Sequence, residues 1–231
     1  MDWSRAIDSY CERLGPGFWA EPWNAVTNAA FVIAAVVAYI VAARRGAVDW
    51  PIAVLVVITV LVGIGSFLFH TVATLWALLA DVIPIQLFIV FYFLFAMRRF
   101  AGLPWWGAGL ATVAFLVFSF LGEGVLGEWL GPVMNGSEGY VPPLLALLMV
   151  GGVLVSVGRT GAGWSLIAGG LIFAVSLTFR TLDMAVCGQF PRGTHFIWHT
   201  LNGVLLGFLV IALARYGVVR RRGGPKEGGA A

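Results

Sequence analysis

Two of the chain's three histidines stand four residues apart in Thr194-His195-Phe196-Ile197-Trp198-His199-Thr200. Residues at that spacing share one face of a helix, so His195 and His199 bring two imidazoles to one point, an arrangement helices use to hold a metal ion. The third histidine, His70, closes Ser66-Phe67-Leu68-Phe69-His70-Thr71. Three neutral imidazoles and one open position make the ligand set of a catalytic zinc. A carboxylate close by can act on the water such an ion activates, and Asp81 is the candidate. Ser66, one turn before His70, lies on the same helix face as that ligand.

The elements that must position these groups follow from composition. Sixty per cent of the residues are apolar and only 11% are charged, which excludes a soluble domain with a charged surface and makes the chain an integral membrane protein. A helix needs about 20 apolar residues to cross a bilayer. Seven such segments are expected near 23–43, 51–71, 77–97, 104–123, 140–158, 163–181 and 195–216. The fold class is therefore all-α, a polytopic seven-transmembrane helix bundle. Residues 1–22 form an N-terminal segment, 23–216 the bundle, and 217–231 a basic, Gly-rich tail expected to be disordered. No cleavable signal peptide stands at the start, and the first span is expected to serve as an uncleaved signal. Gly203 and Gly207, four apart on the last span, form a small-residue pair that would admit a close neighbour; the alternative is that glycines are simply common in such bundles.

Positive charge marks the cytoplasmic side of such a bundle. Arg44, Arg45, Arg98, Arg99, Arg159, Arg215, Arg220, Arg221, Arg222 and Lys226 follow the odd-numbered spans, which places the N-terminus outside and the C-terminus in the cytoplasm. Short loops and a short N-terminal segment fit a bacterial inner membrane, and an endomembrane fits the same topology. All three histidines then reach one depth near the outer face. Cys11 and Cys187 also fall on the outer side, where a disulfide can form; such a bridge would tie the N-terminal segment to the loop before His195. Two unpaired thiols are the alternative.

A lone histidine in an apolar segment is usually a satisfied structural residue. Here no histidine lies outside the set, two share helical spacing and all three reach one depth, and ionisable groups inside a membrane are costly and usually functional. Asp81 has an alternative role as the structural partner of an arginine, Arg180 being the first candidate. Ser66 has an alternative as a helix-packing serine.

Together these residues resemble the alkaline ceramidases, seven-helix zinc amidases of the membrane-hydrolase superfamily that includes the progestin and adipoQ receptors. The resemblance rests on Gly65-Ser66-Phe67-Leu68-Phe69-His70-Thr71, on Asp81 eleven positions after His70 with Pro84 following, and on His195-Phe196-Ile197-Trp198-His199. It extends to Ala20-Glu21-Pro22-Trp23-Asn24-Ala25-Val26-Thr27-Asn28 at the start of the first span. It implies zinc held by His70, His195 and His199, with Asp81 taking a proton from the attacking water and Ser66 stabilising the oxyanion. It also implies a disulfide matched by Cys11 and Cys187, and a membrane lipid substrate such as ceramide, cleaved to a sphingoid base and a fatty acid. Some animal members also bind calcium near the first helix. Only Glu12 and Glu21 match that pattern here, and the segment between them is shorter and lacks the other ligands; Glu21 has an alternative structural role, capping the first span.

Two other classes stay open at this point: a receptor or sensor with a structural metal site, and a transporter using Asp81 and the histidines as a proton relay. No internal symmetry of the kind transporters show is present; Pro84, Pro142 and Pro143 are expected near helix starts, where proline is tolerated. No phosphate-binding glycine loop and no nucleic-acid-binding patch outside the tail is found. Trp19, Trp23, Trp105, Trp106 and Trp129 read as interface anchors, and Trp198 as either an anchor or part of a substrate clamp.

Overall fold

Without water to pair with, backbone N–H and C=O groups in a bilayer must pair within their own segment, so each apolar run closes into a helix. The computed structural model describes residues 2–217; the expected tail, apart from Gly217, lies outside them. Among these residues are eight α-helices: α1 (Pro22–Thr27), α2 (Ala29–Arg44), α3 (Trp50–Val72), α4 (Leu75–Arg99), α5 (Trp105–Met134), α6 (Val141–Ser156), α7 (Thr160–Leu182) and α8 (His195–Tyr216). Helices α1 and α2 form one broken span, and seven spans are long and apolar enough to cross a membrane.

Two expectations are corrected. Helix α5 runs about three turns past residue 123, because Gly122-Glu123-Gly124 does not stop it; it ends where Asn135 and Gly136 both take positive φ. Glu128 is therefore on a helix and not in a loop. Pro84 lies inside α4 and not near its start. A proline there has no N–H for the carbonyl four residues back, which is that of Ala80.

That carbonyl belongs to a close contact between α3 and α4. A Cβ at Gly65 of α3 would collide with the backbone of Ala80 and Asp81, so a glycine is required for α3 and α4 to approach at this level. Gly203 and Gly207 do the same for α8 against α2: a Cβ at Gly203 would lie 2.8 Å from the Ala30 carbonyl carbon, and one at Gly207 3.0 Å from the Ala34 Cβ. The break between α1 and α2 is also local chemistry. Asn28 Nδ2 donates to the Asn24 carbonyl (2.8 Å) and the Thr27 hydroxyl to that of Trp23 (2.7 Å), side-chain bonds that compete with the helical ladder.

The N-terminal segment lies over the end of the bundle where α3 meets α4. Ile7 N–H donates to the Ala73 carbonyl (2.8 Å) and Leu75 N–H to that of Arg5 (3.0 Å), framing an antiparallel bridge between Ala6 and Thr74. A disulfide joins Cys11 to Cys187. At the opposite end Arg99 pairs with Asp49, which also accepts from Ile52 N–H at the start of α3.

Replacing Gly65 by Ala is expected to force α3 and α4 apart at a cost of roughly 1–3 kcal/mol, read as a lower melting temperature in detergent. An unchanged melting temperature would contradict the packing described.

Candidate metal centre

The three histidines converge. His70 ends α3, and His195 and His199 occupy the first two turns of α8; their ring centroids lie 4.5 to 5.2 Å apart. One ring nitrogen from each falls within 4.8 Å of the other two. The side chains are 0, 2 and 1% exposed, so water does not satisfy them. His70 Nδ1 is bonded to Glu21 Oε2 at 2.5 Å, which leaves Nε2 facing the site, buried and without a partner. His195 Nδ1 is also unpartnered. The Thr27 hydroxyl, donating to Trp23, can accept from His199 Nδ1 at 3.2 Å. A buried polar atom left unpaired costs about 1–3 kcal/mol, and a metal ion would relieve two of them together.

Asp81, one helical turn from Pro84 on α4, is buried and its Oδ1 has no partner. The Ser66 hydroxyl faces it, a neighbour made possible by Gly65. Among the described residues Asp81 forms no salt bridge. Arg180, the alternative partner considered for it, instead donates to the Ser137 hydroxyl (2.6 Å) and the Asn135 carbonyl (3.2 Å) and lies over the Tyr140 and Trp198 rings.

The two glutamates have protein partners. Glu12 accepts from the N–H groups of Trp23 and Asn24, both at 2.8 Å, and so caps α1. Glu21 precedes that helix but makes no cap bond; the capping role expected of it belongs to Glu12. Its oxygens accept from Arg13 Nε (2.5 Å), Asn24 Nδ2 (3.0 Å) and the His70 ring. Burial pushes the Glu21 carboxyl up, but the bond to His70, then Asn24 and Arg13, more than offset it and hold it below its ordinary value. Glu12 sits above its ordinary value, burial outweighing its two backbone donors.

Four contributors were not singled out from the sequence. Tyr10 stacks on His195 at 3.6 Å between centroids, and burial pushes its phenol well up, so that it stays protonated. Its position beside Cys11 was the only signal. Asp183, fully buried, accepts from the N–H groups of Cys11 (3.0 Å), Thr194 (2.6 Å) and His195 (2.9 Å). It fixes the start of α8, and hence His195, from a loop whose sequence shows only one acid among apolar residues. Gly193, at φ +62°, has no room for a Cβ between Asp183 and Cys11. Arg13 stood out only as a positive charge.

Beyond the histidines an apolar cavity runs down the bundle. Trp198, buried with its ring 6.4 Å from that of His195, lines it, which decides its role against an interface anchor. Phe88, Tyr92, Phe173, Leu205 and Leu209 line it further in.

The family model for ceramidases matches residues 10–126, half of the chain. The chain belongs to the ceramidase family. Membership implies a hydrolase of amide bonds acting on a lipid. The matched residues include Glu21, Ser66, His70 and Asp81 but stop before α8, so it is the fold of this ceramidase that brings His195 and His199 to them. No curated protein and no solved structure matches the chain.

Asp183→Ala is expected to leave three buried N–H groups unpaired, lowering stability by roughly 2 kcal/mol or more, with Gly193→Ala destabilising the same junction. Thermal melts of both variants check this, and wild-type values would contradict it.

Proposed function

We propose that this ceramidase is a zinc-dependent amidase that cleaves the N-acyl bond of ceramide or a closely related N-acyl lipid, releasing a sphingoid base or amine and a fatty acid. The observation that carries this reading is the convergence of three buried histidines, with Asp81, whose Oδ1 lacks a partner, facing Ser66, and an apolar cavity lined by Trp198. The donor set fits zinc: neutral imidazoles, three in number, with two buried ring nitrogens lacking any partner. A zinc ion bound there would lower the pKa of a coordinated water to about 7 and polarise an acyl carbonyl.

The residues divide the remaining work. His70, His195 and His199 hold the ion, and Glu21 fixes the His70 tautomer by accepting a hydrogen bond from its Nδ1–H. Asp81 takes the proton of the attacking water and returns it to the departing amine nitrogen. The Ser66 hydroxyl donates to the oxygen that becomes negative as the carbonyl is attacked. The cavity below Trp198 takes an acyl or sphingoid chain, which enters from the bilayer without crossing water. We read residues 1–22 as an outer segment over the site and 23–216 as the catalytic bundle. The arginines at the far end, Arg44, Arg45, Arg98, Arg99 and Arg159, support a cytoplasmic position for that end and a periplasmic or lumenal one for the site.

The test measures zinc per chain and fatty-acid release from ceramide together. His199→Ala should lose both, whereas Asp81→Ala should keep its zinc and lose at least about 100-fold in hydrolysis. Full activity in both variants would overturn the assignment.

A further inference from the structure

Arg13 is buried next to His70 and held by three hydrogen bonds. Its Nε donates to Glu21 Oε1 (2.5 Å), its Nη1 to the Gly15 carbonyl (3.1 Å) and its Nη2 to the His70 carbonyl (3.0 Å). Three oxygens, one anionic and two carbonyl, thus converge on one cation. Carboxylate and backbone carbonyl oxygens are the donors that calcium takes, and here a guanidinium fills their centre. The remaining oxygens of the two glutamates are also spent, those of Glu12 on the α1 N–H groups and Glu21 Oε2 on Asn24 and His70. A divalent ion added to this set would meet the fixed positive charge of Arg13 within a few ångströms, a repulsion that burial strengthens. The residues therefore do not fit calcium.

We propose that Arg13 is a built-in counter-cation that takes the place of a divalent ion beside the metal centre, so that this ceramidase works without calcium. Arg13 neutralises Glu21, which orients the His70 ring, and it holds the His70 backbone carbonyl at the end of α3. It is a positioning residue, acting on the site through Glu21 and His70. Arginine suits the task because its fork engages several oxygens in one plane and keeps its charge when buried. Disulfide-linked Cys11, two residues earlier, anchors the segment that carries it. The effect on hydrolysis rests on the reading of His70 as a metal ligand; the response to calcium does not.

The experiment uses full-length protein in mild detergent, in buffer freed of calcium by chelating resin, with melting temperature and lipid-amide hydrolysis both read. Adding CaCl2 to about 2 mM should leave wild type unchanged in both, since Arg13 already occupies the oxygens a divalent ion would take. Arg13→Ala leaves Glu21 Oε1 and the carbonyls of Gly15 and His70 unpaired. It should melt lower and hydrolyse about tenfold more slowly, and CaCl2 should raise its melting temperature by about 3 °C and recover part of the rate. Arg13→Lys, which keeps the charge but not the fork, should fall between the two and ignore calcium. A gain by wild type on adding calcium, or an Arg13→Ala variant as active and stable as wild type, would overturn the proposal. If Arg13→Ala does not accumulate, wild type and Arg13→Lys decide it. If wild type cleaves no N-acyl lipid, the amidase reading fails while the melting response to calcium still decides this one.

Discussion

A carboxylate buried at the end of a lipid-embedded bundle has to find its partners in the protein, and Glu21 finds one on each of three segments. Arg13 reaches it from the N-terminal segment, Asn24 from α1 and His70 from the end of α3. The cost of leaving such a charge uncompensated is several kcal/mol, so these segments are held in one relation to one another. The orientation of the His70 ring follows from that constraint. With Nδ1 engaged, only Nε2 is left to face His195 and His199.

Asp183 plays the corresponding part for the other two histidines. It joins Cys11 to the first residues of α8, and the Cys11–Cys187 bridge closes the same junction covalently. The site is thus built at helix ends and locked by an overlying segment, while the cavity is built from helix interiors that need only shape and apolarity. That division suits a reaction in which a chain must slide in from the membrane while the reacting groups stay fixed. Gly65 links the two halves: by letting α3 meet α4 at Ala80, it sets Ser66 opposite Asp81.

Much of this was legible in the sequence because spacing on a helix is a strong geometric statement. His195 and His199 at four residues, and Ser66 before His70, reveal their shared faces without any structure. The spans were visible as apolar runs, and Gly203 and Gly207 as a contact stripe. What stayed hidden depends on tertiary contacts between distant, irregular segments. Asp183 and Arg13 look like ordinary loop charges until the disulfide and the Ala6–Thr74 bridge fold their segments onto the bundle end. The same limit explains why capping was assigned to Glu21: position before a helix is local, whereas the partner that displaces it, His70, is 49 residues away. Pro84 and the end of α5 were misplaced because hydropathy marks where a helix can lie in a membrane and is insensitive to an interior proline or to extra turns.

The central claim, a zinc held by three imidazoles, is tested most directly by X-ray absorption at the zinc edge on protein purified without chelators. The account predicts three nitrogen scatterers at about 2.0–2.1 Å with the multiple-scattering pattern of imidazole, and one further oxygen. A spectrum with sulfur or with oxygen alone in the coordination sphere, or well-folded protein that retains no metal, would contradict it.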